Sequence, residues 1–303
     1  MRYLVTGAAG FIGSHLAEAL ATAGHEVVGL DCLTDYYDTS LKAENARGLD
    51  LRIVDLAEDE LDFDGFDGVF HLAGQPGVRS FGNVFPLYLR RNVLASQRVF
   101  EAAARDRVRV VFSSSSSVYG MGERYPTPEN VPPRPISPYG ITKLACEHLA
   151  EAYGREFGLE CVILRYFNAF GPRQRPDMAF TRIVDALASG ATFELFGDGD
   201  QSRSWTYVDD VTAATVLAMQ GGTGTYNVGG ALEASLNETI AQLERISGRT
   251  LSVERHPAVA GDQRRTKADT KRIEQELGWR AVVSLEDGLR AQWEWAATRL
   301  PLA

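Results

Sequence analysis

Short apolar runs alternate with longer stretches of helical periodicity through the first two-thirds of the chain. Tyr3 to Thr6 forms an apolar run that meets a glycine-punctuated turn, after which Leu16, Ala17 and Leu20 recur at helical spacing. HEVVGLD predicts a second strand ending at Asp31, LDLRIVDL a third ending at Asp55 and Leu56, and GVFHLAG a fourth ending at Leu72, Ala73 and Gly74. Asn92 opens the predicted helix NVLASQRVFEAAA, which offers Val93, Leu94, Val99 and Phe100 for burial, and VRVVF then runs as a strand into Ser113 to Ser117. A long helix from about Tyr139 to Phe157 places Leu144, Ala145, His148, Leu149 and Tyr153 near one face, and LECVILRYFN is apolar enough for a buried strand. This alternation predicts an α/β fold, a doubly wound parallel sheet covered on both faces.

Beyond Asn168 the pattern changes. GPRQRPDM is a polar loop rich in Pro and Arg; the helix FTRIVDALASG and the string FELFGDGDQSRSWTYVDD follow, and VDDVTAATVLAMQ with TYNVGG returns to helix and strand. The remainder from about Ala231 reads as helical around a loop containing GDQRRTKAD. The expected division is a nucleotide-binding part, 1–167 with about 204–229, and a smaller α/β lobe, about 168–203 with 230–303. There are no internal repeats and no low-complexity tract apart from the serine run.

GAAGFIG has a specific physical use at a first strand-to-helix junction. Gly7 allows a tight turn, Gly10 lets backbone approach a pyrophosphate, and Gly13 ends the pattern, with Phe11 and Ile12 beside that surface; the helix N-terminus supplies free N–H groups. A carboxylate at Asp31 suits an adenosine ribose diol and repels a 2′-phosphate, so the expected cofactor is NAD rather than NADP. Asp55 and Leu56 stand where an adenine would lie and Leu72 and Ala73 where pyrophosphate and ribose would pass, although Asp55 also suits a helix cap or turn.

The formal charge of −9 and pI near 5.2, without a Lys/Arg cluster, exclude a nucleic-acid partner. Three widely spaced cysteines, Cys32, Cys146 and Cys161, fit buried thiols in a reducing compartment, and the five histidines show no metal-ligand spacing, so no metal is expected. The opening MRYLVTGAAG is no secretory signal and no later run reaches a membrane span, so the expectation is a soluble, unprocessed cytoplasmic protein without membrane contact.

The chemistry gathers at SSSSSVYG and SPYGITK. Tyr139 and Lys143, four residues apart on a helix, share a face. A nearby ammonium favours the phenolate, which can take a hydroxyl proton while hydride leaves the carbon; a strand-end serine can hydrogen-bond the same hydroxyl. With TGAAGFIGSHL, HLAGQ, SSSSVYG, SPYGITK, RYFNAFGPR, WTYVDD and ADTKRIEQELGW, the chain resembles an extended short-chain dehydrogenase/reductase of the nucleotide-sugar epimerase and dehydratase group over essentially its whole length. The resemblance implies a Rossmann-type fold, NAD as cofactor, and a catalytic serine four residues before Tyr119, which is Ser115. It also implies Tyr139 as base and Lys143 as its partner, which binds the nicotinamide ribose too. Related dehydratases carry an acidic pair where this chain has Ser116 and Ser117, which cannot act as general acid or base near neutral pH. That leaves oxidation to a 4-keto sugar, rotation, and hydride return to the opposite face.

The same resemblance implies that Asn168 and Arg203 meet a substrate diphosphate, that backbone around Phe196 meets the base, and that Arg265, or Arg264 in its place, is a further diphosphate ligand. Gln75 and Arg79 stand near the sugar. DYYDTSLK and GPRQRPDMAFTR resemble UDP-glucuronate 4-epimerases more than UDP-glucose/UDP-galactose 4-epimerases, so the expected substrate is UDP-glucuronate, converted to UDP-galacturonate. Arg175 then reads the sugar carboxylate. The 4-keto uronate is a β-keto acid prone to lose carbon dioxide, and Arg175 with Ser116 or Ser117 would hold its carboxylate out of that alignment. Alternatively Arg173, Arg175 and Asp177 only tie down a surface loop. The other readings are a neutral UDP-hexose or UDP-N-acetylhexosamine 4-epimerase and a cofactor-binding sensor without turnover. Family members commonly dimerise through the helices beginning near Asn92 and Tyr139, and a homodimer is expected.

Overall fold

The computed structural model describes residues 1–77, 82–122, 124–258 and 263–299. Strands β1 (Arg2–Thr6), β2 (Glu26–Asp31), β3 (Asp50–Ile53), β4 (Gly68–His71), β5 (Val110–Ser115) and β6 (Cys161–Tyr166) join an edge strand, Gly224–Val228, in one parallel sheet. From that edge the order is β6, β5, β4, β1, β2, β3. The direction of winding reverses between β1 and β4, which opens a crevice at the carboxyl ends of the strands.

The strands read as continuous apolar runs because both faces are covered. Successive residues therefore enter opposite cores: Tyr3, Val5 and Val111 pack with Leu16, Ala17 and Leu20 of the helix Phe11–Thr22 and with Val211, Ala214 and Ala218 of the helix Val208–Gln220. Leu4, Val110 and Phe112 pack on the other side with Ala95, Val99, Phe100 and Ala103 of the helix Ala95–Asp106 and with Cys146 and Ala150 of the helix Pro138–Phe157. The first core continues into the later part of the chain through Phe170, Phe180, Ile183, Trp279, Leu289 and Trp293.

Three sequence expectations change. Asn92 does not open its helix; the chain is already helical from Phe85 and runs through a π-type stretch, Leu89–Leu94, with Asn92 buried inside it. In Pro138–Phe157 the buried face is Thr142, Lys143, Cys146, Glu147 and Ala150, whereas His148 is exposed and Leu144 and Leu149 are only partly covered. Hydrophobic periodicity pointed to the wrong face because the covered one carries polar groups satisfied by the sheet. The part beyond Ala231 is mixed rather than helical: Glu233–Ser235 and Arg265–Thr266 flank Ser202–Ser204, and Ser252–His256 pairs with Thr192–Phe196. Such short strands find their partners far along the chain, beyond the reach of local pattern.

Among the described residues no helix is long and apolar enough to cross a membrane, no cluster of His, Cys, Asp and Glu could hold a metal ion, and all three cysteines are free. Only Cys146 is fully buried.

Candidate active site

A cleft of about 690 Å³ lies over the carboxyl ends of the central strands. Its first half is built mainly from backbone. Gly7 has φ +69°, and a Cβ there would stand 2.8 Å from the Ala73 nitrogen; a Cβ on Gly13 would stand 2.1 Å from the Gly7 carbonyl oxygen. The turn can therefore lie against both β4 and its own helix only with glycine at these positions. Gly10 caps that helix in extended conformation without a side-chain hydrogen bond, so its first N–H groups face the cleft unclaimed by a cap. Phe11, Ile12, Leu56, Leu72 and Ala73 line the same wall.

Asp31, at the end of β2, accepts from the Ala9 nitrogen at 3.2 Å and the Leu33 nitrogen at 2.8 Å, which holds it at the rim. Asp55 accepts from the Ala57 nitrogen at 3.0 Å and from Arg90 at 2.9 Å. Burial works against its ionisation, but the Ala57 hydrogen bond and Arg90 outweigh it and hold the carboxyl below its ordinary range. Asp55 is thus both the turn residue and the cleft residue of the sequence reading. Three neighbours escaped that reading: Cys32, Lys42 and Arg91 line this end, Arg91 donating to Cys32 Sγ at 3.0 Å and Lys42 to the Thr34 carbonyl at 2.6 Å. DYYDTSLK signalled Lys42, but nothing local could place Arg91 across the cleft. The glycine cradle, the free helix end and the rim carboxylate fit a dinucleotide.

At the middle of the cleft Ser137 caps the helix Pro138–Phe157, accepting from the Gly140 nitrogen at 3.1 Å, and Pro138 occupies the first turn. That start puts Tyr139 at the mouth of the helix and Lys143 one turn deeper. Lys143 is 3% exposed, donates to the Ser113 carbonyl at 2.7 Å and lies 5.9 Å from the Tyr139 ring centroid. Ser115 ends β5; its hydroxyl donates to Ser117 Oγ at 3.1 Å and accepts from the Ser117 nitrogen at 3.2 Å. Ser115, Ser116, Ser117, Tyr139 and Lys143 all line the cleft, so the structure brings the expected catalytic group together.

Buried polar contacts hold this arrangement. Asn92 accepts from the Gln75 nitrogen at 2.6 Å and donates to Thr142 at 3.0 Å, tying the loop after β4 to the helix of Tyr139. Beneath the serines, Glu147 accepts from Ser114 at 2.5 Å and from Arg165 at 2.9 and 2.6 Å, and Arg165 donates to Tyr119 at 2.8 Å. His71 lies between Thr6 at 2.7 Å and Ser96 at 2.9 Å, and burial, helped by the Lys143 charge, pushes its pKa down to about 3.

The other half is made of long side chains. Arg175 lines the cleft and binds Asp177 through Nε at 2.9 Å and Nη2 at 3.1 Å; Tyr36, from the loop after β2, donates to the same carboxylate at 3.2 Å. Arg173 pairs with Glu18 at 2.7 Å, outside the cleft lining. Asn168 lies in the cleft with φ +43° and its amide donates to the Ser204 carbonyl and to Thr266. Phe196 and Arg203 line a second cavity of about 190 Å³, with Gln201 and Trp205; Ala179 and Arg182 line both cavities. Arg182 sits at the junction; inside an amphipathic helix, its charge reads locally as part of a solvated face. Arg265 is not brought to either cavity: it makes a two-pronged pair with Glu233 at 2.8 and 2.9 Å, and Arg264 pairs with Asp198. Arg79 lies outside the described residues.

Residues 3–229 match the model of the NAD dependent epimerase/dehydratase family. The chain belongs to that family. An uncharacterized UDP-glucose epimerase of Bacillus subtilis is 42% identical over 303 residues, covering 95% of this chain and 96% of its own. Among solved structures, the UDP-glucuronic acid 4-epimerase of Bacillus cereus in complex with UDP-glucuronic acid and NAD superposes with a TM-score of 0.93 at 38% identity, covering 97% of this chain and 98% of its own. The UDP-glucose 4-epimerase of Thermotoga maritima with UDP-glucose superposes with a TM-score of 0.92 at 33% identity, covering 98% and 99%. Both sugars thus occur among relatives of nearly the same structural likeness, so the fold they share does not choose between them. Membership makes the chain an NAD-dependent enzyme.

Proposed function

We propose that this protein is an isomerase, an NAD-dependent UDP-sugar 4-epimerase that interconverts UDP-glucuronate and UDP-galacturonate. The carrying observation is that Arg175 lies on the wall of the same cleft as Ser115, Tyr139 and Lys143, while positions 116 and 117 on that wall are serines rather than acids. A guanidinium suits a carboxylate on carbon 5, and the absence of an acid–base pair disfavours loss of water.

Gly7, Gly10, Gly13, Asp31, Asp55 and Lys143 are the residues that would hold NAD. When bound, it supplies reversible two-electron oxidation at carbon 4. Tyr139 takes the proton of the 4-hydroxyl and returns it when the alcohol re-forms on the other face. Ser115 hydrogen-bonds the same oxygen, and Lys143 keeps positive charge beside the phenolate. Arg175 and the two serines orient the carboxylate away from the alignment that favours loss of carbon dioxide. Asn168 lines the larger cavity, Arg203 the smaller and Arg182 both, and these three suit a diphosphate, with Phe196 in the smaller cavity suiting the base. In this reading 1–167 with about 204–229 serves NAD and about 168–203 with 230–303 serves the nucleotide sugar. Exposed Leu94 and Ile141, on the two helices expected to pair, support a homodimer, and the free cysteines support a cytoplasmic setting.

A neutral UDP-hexose is the second reading, favoured by the Asp177 partner that already balances the Arg175 charge. The deciding experiment incubates the purified protein with UDP-glucuronate, UDP-glucose or UDP-N-acetylglucosamine without added cofactor and resolves products by NMR. Faster formation of the galacturonate is expected. Turnover of only the neutral sugars would overturn the substrate, and full activity of Tyr139→Phe would overturn the mechanism.

A further inference from the structure

The Arg175 guanidinium does not meet the cleft as a lone cation. Asp177 takes its Nε and Nη2 donors in a two-pronged pair, and Arg175 stands within electrostatic reach of both Tyr36 and Tyr139. Burial alone would lower the Arg175 pKa, but Asp177 outweighs burial and raises it. Tyr36 crosses from the cofactor-side loop to the same carboxylate, so Asp177 joins two loops as well as pairing with Arg175. Asp177 is the more exposed partner, with its side chain 40% accessible against 23% for Arg175. A neutral sugar entering here meets a balanced pair. A uronate brings a second carboxylate to one guanidinium, and must share it with Asp177 or displace it, against like-charge repulsion in a partly desolvated site.

We infer that Asp177 is a specificity-determining residue: by competing for Arg175 it holds down the preference for an anionic over a neutral sugar, so that one cleft accepts both. This rests on the reading that Arg175 faces the sugar. The Tyr36 hydrogen bond strengthens the competition by keeping Asp177 in place. Removing the Asp177 charge while keeping its shape leaves Arg175 available, and the uronate gains while the neutral sugar does not.

The test is calorimetric titration of the NAD-loaded protein with UDP-glucuronate and with UDP-glucose, beside kcat/KM for each. Asp177→Asn is expected to raise the ratio of the two dissociation constants in favour of the uronate by about ten-fold, equivalent to about 1.4 kcal/mol. Asp177→Glu, which keeps the charge, is expected to hold the wild-type ratio, and Tyr36→Phe to move it less than Asp177→Asn in the same direction. Equal changes for both sugars in Asp177→Asn, or a loss of uronate affinity, would overturn the inference. Arg175→Gln separates the two levels. If it weakens only the uronate while Asp177→Asn leaves the ratio unmoved, Arg175 reads the carboxylate and Asp177 does not compete. If Arg175→Gln leaves the uronate unaffected, the carboxylate reading fails and this inference with it.

Discussion

The two halves of the cleft are made of different material. The half that fits NAD is a surface of main chain: a glycine turn, an uncapped helix end, and a carboxylate whose oxygens are held by backbone nitrogens of Ala9 and Leu33. The half proposed for the nucleotide sugar is a set of long charged side chains: Arg175 with Asp177 on a loop, Arg182 on the helix Ala179–Ser189 at the junction, and Arg203 on the strand Ser202–Ser204 in the second cavity. Backbone surfaces are rigid and fit a dinucleotide by shape, and the Asp31 carboxylate at the rim adds the preference for a ribose diol. Ion pairs can be exchanged one residue at a time, which gives a single fold a route to different sugars.

The joint between the halves is where substitution should cost most. Arg165→Met strands Glu147, 2% exposed, without its cation, and stability is expected to fall by about 3–5 kcal/mol in chemical denaturation. The double change with Glu147→Leu should recover most of it. Additive losses would mean that the pair does not act as one unit.

If the cofactor half is rigid main chain, adding one methyl group there must be felt. Gly13→Ala drives a Cβ toward the Gly7 carbonyl, 2.1 Å away, and should cost about 1–3 kcal/mol together with retained NAD, followed by cofactor fluorescence and thermal melting. An alanine variant that keeps both would show that the turn yields.

The same half holds a buried neutral imidazole. His71 has its folded pKa depressed to about 3, so above the ordinary histidine range both states are neutral and nothing is gained. As pH falls below about 6.5 only the unfolded chain takes the proton, and stability drops by up to about 1.4 kcal/mol per pH unit until about pH 3. Denaturation midpoints of wild type and His71→Gln between pH 7 and 4.5 check this: the variant should show the flatter slope. Outside both cavities the smallest effect is expected. Arg265→Ala breaks a pair whose arginine side chain is 46% accessible and should change stability by less than about 1 kcal/mol in the same assay.

The division between the halves also explains what could be read from residue order. Glycine at 7, 10 and 13, the acid at 31 and the Tyr139–Lys143 spacing act within one turn or one strand end, so local chemistry requires them and the sequence shows them. The same holds for Ser137 and Pro138, whose capping places Tyr139 at the helix mouth. Helix Pro138–Phe157 misled because its buried face is polar, satisfied by Ser113, Ser114 and Arg165 from neighbouring strands.

The chain by itself determined the alternating α/β plan, the glycine turn, the Ser–Tyr–Lys group proposed to be catalytic and the absence of an acid at positions 116 and 117, because each depends on residues close in sequence. Only the tertiary structure decided that Arg91 reaches Cys32 across the cofactor end, that Arg182 bridges two cavities, that Arg265 is turned to Glu233, and that Asp177 and Tyr36 meet at Arg175. Those contacts span up to 141 positions, as between Tyr36 and Asp177, and no local periodicity encodes which charges the folded loops bring together.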